Sequence, residues 1–225
     1  MSQQNKSVLI IGATGALGLQ CLRHFSEDPT ITKLHVFCRT PSKLSHADKT
    51  LCDSVITGDA RNSKDVESAL VQSDADYVVL ATGNGMDLGK SDTREKTGQA
   101  LAKAMSQPAL QHVKAVVVSS HGAADTKIKV GLGIGMMISH HLRHVLHDHT
   151  LQEQAFEGSL LSERTLIVRP TALSDDKGGK KLVEFDGNKK GPSINADRSD
   201  VAAWITAEIA KSAFQGRKVC LTTAK

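Results

Sequence analysis

The chain has 225 residues, 40% hydrophobic and 23% charged, with a formal net charge of +4 and a sequence pI near 8.9. That length supports one substantial core, so a single domain over residues 1–225 is expected, and the modest, dispersed charge suits a small anionic ligand without arguing for nucleic acid. No run approaches membrane-spanning length or the form of a secretory signal, and Cys21, Cys38, Cys52 and Cys220 lack metal spacing, so reduced thiols in a cytoplasmic protein are expected.

Residues 7–11 form a short apolar run rich in β-branched side chains, the pattern of a strand buried on both faces. Gly12, Gly15 and Gly18 follow at intervals of three, in Gly-Ala-Thr14-Gly-Ala16-Leu17-Gly, and a helical run then extends to about Pro29. Between a strand and a helix these glycines serve three needs. Gly12 permits the tight turn, Gly15 lets the backbone approach a pyrophosphate, and Gly18 lets the helix pack on the strand. The free N–H groups of the helix start then present a positive dipole end to the phosphates.

Residues 34–38 read as the second strand, followed by Arg39-Thr40-Pro41-Ser42-Lys43. An acid here would bond the ribose hydroxyls of NAD, whereas an arginine accommodates the 2′-phosphate of NADP. No acid is present, so Arg39 is expected to clamp that phosphate, with Thr40, Ser42 and Lys43 as further donors and NADP(H) as cofactor. Residues 54–59 are the third strand and its exit, where Asp59 and Ala60 suit either an adenine contact or a helix cap. A helix with Ser63 as its cap follows, then a fourth strand over 76–81 that runs into Thr82-Gly83. Small residues at that strand end, Ala81 included, leave room for a cofactor at the carboxyl edge of the sheet. A helix over about 91–106 precedes a fifth strand, 113–118, which ends in Ser119-Ser120-His121-Gly122. Strands alternating with helices imply a doubly wound parallel sheet, an α/β fold of Rossmann type.

Residues 129–139, with Gly131, Gly133 and Gly135, suit either a mobile apolar cover over a substrate pocket or an irregular helix start. Residues 140–159 turn helical, with Leu142, Val145, Leu146 and Phe156 on one face and His149 along the stripe. A sixth strand, 165–170, ends at Pro170. A Gly-, Lys- and Asp-rich loop surrounds a short strand at 182–185, a helix capped by Ser199 buries Val201, Trp204, Ile205 and Ile209, and 218–222 is a final strand. Segments 121–150 and 171–198 are expected on the substrate side. His140, His144 and His147 share a helical face, but no cysteine or carboxylate completes a ligand set, so no metal is expected. Lys177, Lys180, Lys181, Lys189 and Lys190 read as a solvated loop that could attract an anionic substrate.

In order along the chain, the glycine motif, Arg39, Gly58-Asp59, Ser119-Ser120 and Val168-Arg169-Pro170 make the sequence resemble an atypical short-chain dehydrogenase/reductase. It is most similar to the NAD(P)H-binding branch containing biliverdin-IXβ reductase/flavin reductase and the NmrA-like proteins. The resemblance implies bound NADPH, its nicotinamide near the ends of the fourth and fifth strands, with Thr14, Ala16, Leu17 and Pro170 among the contacts. The Tyr-x-x-x-Lys pair of ordinary members is absent, because the only tyrosine, Tyr77, lies inside a strand with Ala81 four residues on. His149, in Asp148-His149-Thr150, falls near the lysine's place when two inserted residues are allowed, and the flavin reductase branch carries an Asp-His there.

An alcohol dehydrogenase needs a group that exchanges the hydroxyl proton. Hydride transfer to a flavin, quinone or tetrapyrrole needs mainly the orientation of two flat partners. The expected activity is therefore NADPH-dependent reduction of a planar conjugated small molecule. Ser119 or Ser120 would hydrogen-bond the substrate or the nicotinamide amide, with His121 as a candidate acid and His149 as a further catalytic candidate. The alternative is an NADP(H)-binding sensor of NmrA-like type that transfers no hydride; an epimerase or dehydratase is disfavoured by the missing tyrosine. No nucleic-acid or membrane partner is expected, and the chain is expected to be a monomer or weak dimer.

Overall fold

Apolar runs long enough to be covered on both faces become the strands of one sheet. The computed structural model describes residues 5–225 apart from 86, 132, 159, 213 and 215. Its elements begin β1 (Lys6–Ile11), α1 (Ala16–Glu27), β2 (Ile31–Cys38), α2 (His46–Lys49), β3 (Ser54–Thr57), α3 (Ser63–Ser73), β4 (Tyr77–Leu80), α4 (Thr93–Met105) and β5 (Lys114–Val118). They continue α5 (Ile134–His141), α6 (Arg143–Gln154), α7 (Leu160–Glu163), β6 (Thr165–Pro170), β7 (Ala172–Ser174), β8 (Leu182–Phe185), β9 (Asn195–Asp197), α8 (Arg198–Lys211) and β10 (Lys218–Thr223).

The eight-stranded sheet runs β3-β2-β1-β4-β5-β6-β10-β8, and only β8, on β10, pairs antiparallel. The strand order reverses between β1 and β4, which opens a crevice at their carboxyl ends. Alternation along β1 feeds two cores: Val8 and Ile10 join one, Leu9 and Ile11 the other. The first core is closed by Cys21, Leu22 and Phe25 of α1 and by Val201, Ile205 and Ile209 of α8. The second is closed by Val66, Ala69 and Leu70 of α3 and by Leu101, Ala104 and Met105 of α4. The doubly wound α/β architecture expected from the sequence is thus present.

Several boundaries differ. The cap of α3 is Asn62, which accepts the Lys64 N–H at 3.0 Å, and the cap of α8 is Asp197, which accepts from Ser199 N at 2.8 Å. A cap precedes the first helical residue, whereas Ser63 is the first residue of its helix and Ser199 the second. The Ser199 hydroxyl instead meets His24 Nε2 at 2.8 Å. The helix expected over 140–159 divides at Leu142 (φ −89°, ψ 8°) and ends at Gln154; Ser159 lies outside the described residues. β2 begins at Ile31, ahead of its apolar run, because Ile31 and Lys33 pair with Lys6 and Ser7 of β1. α2, α7, β7 and β9 are three or four residues long, too short to show a period. Trp204 is only half-buried. All four cysteines are free thiols, and burial pushes Cys21 up to about 12, the behaviour of an inert core thiol.

Candidate functional site

The crevice between β1 and β4 is a cleft of about 640 Å³. Its floor is the glycine turn. Gly12 has φ +102°, and a Cβ there would stand 2.5 Å from the Ala81 carbonyl oxygen. A Cβ at Gly18 would stand 2.3 Å from the Gly12 carbonyl oxygen, so only glycine lets α1 sit this close to the turn. Gly15 is the N-cap of α1, with no side-chain cap bond and no acid in the first turn. The first-turn N–H groups, those of Ala16 and Leu17 included, are therefore left for an anion, at the positive end of the helix dipole. The Leu17 side chain lies in the core, so its main chain is the part able to meet a ligand.

At one end of the cleft Arg39, Thr40 and Lys43 line the wall beyond β2. Arg39 is exposed and makes no ion pair with any described residue, so its guanidinium is free for an incoming anion. Ser42 lies one residue from this wall without lining it. Asp59 and Ala60 face the same end, but the Asp59 carboxylate is committed to Arg61, which donates to it from Nε and from Nη2, the latter at 2.8 Å. That pairing holds Asp59 down to about 2 and removes an uncompensated negative charge beside Arg39.

At the other end Ala81, Thr82, Gly83 and Asn84 form the rim, with Thr93 and Thr97 of α4. Thr82 and Thr97 share a hydroxyl bond of 2.8 Å. Behind Gly83 lies the buried Arg94 guanidinium, 3.0 Å from where a Cβ would stand. Asp148 holds that guanidinium at 3.3 Å and also accepts the Arg94 and Glu95 N–H groups, capping α4 from the facing helix α6.

The candidates for chemistry lie outside this lining. Ser119 is buried and donates to Glu153 at 2.5 Å; Glu153 is fully buried and accepts from Arg169 through both carboxylate oxygens, with Asp125 also on Arg169 at 2.8 Å. Ser119 is thus spent in a buried network, and the half-buried Ser120, just beyond β5, donates its hydroxyl to the His121 carbonyl at 3.3 Å. His121 sits edge-on to Phe185, its Nε2 3.0 Å from the Gly187 carbonyl, and burial lowers its pKa against the pull of that carbonyl. It clamps the 182–187 segment. His149 is buried, with Nδ1 3.3 Å from Gln152; burial, reinforced by the Arg94 charge, pushes it down to about 3, so the ring stays neutral. Pro170 is buried at the end of β6, where its carbonyl accepts the His121 N–H.

These histidines set an acid limit. Burial lowers the pKa of His149, His121 and His35, so the unfolded chain takes up protons that the folded chain refuses. Stability present above about pH 6.5 is lost as pH falls, by about 1.4 kcal/mol per unit for a fully buried ring such as His149. Thermal melts between pH 7 and 4.5 are expected to show the decline, and His149→Gln to make it shallower. An unchanged slope would mean His149 takes up its proton in the folded state.

The sequence reading missed Arg61, Thr93 and Thr97 in the lining, the capping of α4 by Asp148, and the Ser119–Glu153–Arg169 network. Arg61, two residues after Asp59, carried the one available signal, a charge pair at turn spacing. Among the described residues no three His, Cys, Asp or Glu side chains gather as a metal site, and no helix is long and apolar enough to cross a membrane.

The sequence profile of a family described as NAD(P)H-binding matches residues 12–212. A search of curated proteins gives no match. Among solved structures, a Rossmann-fold NAD(P)-binding family protein from Shigella flexneri is 26% identical, covering 97% of this chain and 93% of its own at a TM-score of 0.69. A short-chain dehydrogenase/reductase from Veillonella parvula in complex with NADP is 14% identical, with coverage of 96% and 94% and a TM-score of 0.76. ChuY, an anaerobillin reductase from Escherichia coli O157:H7, is 17% identical, with 96% of each chain covered and a TM-score of 0.73.

Proposed function

Because this chain belongs to the NAD(P)H-binding family, we propose that it is an NADPH-dependent reductase acting on a flat conjugated acceptor such as a flavin, quinone or tetrapyrrole. The observation that carries the reading is the pairing of a glycine cradle with no room for a Cβ at Gly12 or Gly18 and an unpaired Arg39 at the far wall. The uncapped α1 start suits a pyrophosphate, and Arg39, assisted by Lys43 and Thr40, suits a 2′-phosphate. When bound, the cofactor supplies a hydride.

The chain's own contribution is orientation. Tyr77 is inside the core, its hydroxyl 2.6 Å from Ser212, so no phenolate stands at the site and the proton comes from solvent. Ser120, by turning its hydroxyl from the His121 carbonyl, would donate the hydrogen bond that positions a carbonyl or amide beyond β5. The fold shared with a protein named as an anaerobillin reductase is in keeping with a flat acceptor.

The commitment of Ser119, His121 and His149 to structural contacts favours a second reading, an NADP(H)-holding sensor without turnover. Mixing the purified protein with NADPH and a panel of flavins, quinones and biliverdins separates them. Loss of NADPH absorbance with one acceptor is the expected result; tight NADPH binding with no turnover on any of them supports the sensor.

A further inference from the structure

Between Asp125 and Asp148 the chain has no acidic residue. Within that stretch Lys127, Lys129 and Arg143 are exposed and form no ion pair with a described residue. Between them lies α5, whose Ile134, Met136 and Met137 are 50%, 76% and 73% exposed. With Ile138 and Leu142 they border a shallow apolar hollow of about 960 Å³. Left-handed glycines, Gly131 at φ +54° and Gly133 at φ +79°, lead into α5, and Gly135 is buried against the Ile128 carbonyl, so the helix is held with its methionines outward. Long apolar side chains in water, flanked along the chain by cations that form no ion pair with a described residue, mark a surface that meets something both apolar and anionic.

We propose that α5 is an interfacial docking helix that rests on a lipid bilayer bearing anionic headgroups. Ile134, Met136 and Met137 would enter the boundary between headgroups and acyl chains, while Lys127, Lys129 and Arg143 pair with lipid phosphates. A second copy of this chain fits poorly, because a two-fold interface on this patch would bring Lys127, Lys129 and Arg143 of both copies together, and none of the six forms an ion pair with a described residue. A specific protein interface usually takes about 20–30 residues a side, far more than one eight-residue helix with its flanks presents. A bilayer needs only a few inserted side chains and nearby cations, and this patch supplies both. The even spread of charge over the whole sequence conceals it.

Flotation of the full chain with vesicles of phosphatidylcholine carrying about one-third phosphatidylglycerol tests the proposal. The wild type is expected to float with these vesicles at low salt, to be released as salt rises, and to ignore pure phosphatidylcholine. Met136→Glu/Met137→Glu and Lys127→Glu/Lys129→Glu should each weaken retention by about tenfold or more with NADPH affinity unchanged. Retention equal on both vesicle types, none on either, or a methionine variant that floats like the wild type would overturn the proposal. So would light scattering that shows a dimer converted to monomer by the methionine variant while lipid retention stays the same.

Discussion

Arg39→Asp is expected to weaken NADPH binding by about 100-fold, or roughly 2.7 kcal/mol, while NADH changes by only a few-fold. The guanidinium is exposed at the cleft wall and tied to no carboxylate, so little folding free energy depends on it. An aspartate there would lose a two-pronged phosphate clamp and add a second negative charge beside Asp59. The two cofactors differ at the 2′ position alone, so the ratio of their affinities isolates that contact. Titration calorimetry with each cofactor measures it; equal losses would show that Arg39 does not read the phosphate.

The second large effect falls on the fold. Glu153→Ala should lower the unfolding free energy by about 3–5 kcal/mol, because it leaves the buried Arg169 guanidinium without its bidentate partner. Arg169 is 3% exposed, so water cannot take the carboxylate's place, and Asp125 satisfies only one edge. The Ser119 hydroxyl loses its acceptor as well. The double variant Glu153→Leu/Arg169→Met, which removes both charges, is expected to recover much of the loss. Urea unfolding of the three proteins decides the matter. A single-variant loss below about 1 kcal/mol would mean that the network contributes little.

What could be read from sequence followed from periodicity and from the chemistry of one turn. β1, β4, β5 and β6 are nearly unbroken apolar runs, and a strand covered on both faces has no other way to be written. Gly12 and Gly18 were legible because the turn leaves no room for a side chain at either, and Gly15 because it completes their spacing of three. The contacts between distant segments were not legible. Nothing near Asp148 in the chain shows that it caps α4, 53 residues earlier at Glu95, and nothing near Ser119 points to Glu153. A serine at a strand end reads as a ligand donor until the facing helix is known to carry a carboxylate. Arg61 was hidden for a different reason, since a basic residue after an aspartate is also what any solvated turn displays.

The setting of His149 has a consequence for how this scaffold could change its chemistry. A lysine introduced there, at the position the family resemblance sets beside the lysine of the phenolate-and-lysine device, would be a second cation enclosed beside Arg94, with Asp148 already engaged by Arg94 and by the start of α4. Such a side chain would shed its proton or unseat α6 from α4. Conversion to an alcohol dehydrogenase is therefore closed to single substitutions and would require the α4–α6 interface to be rebuilt first.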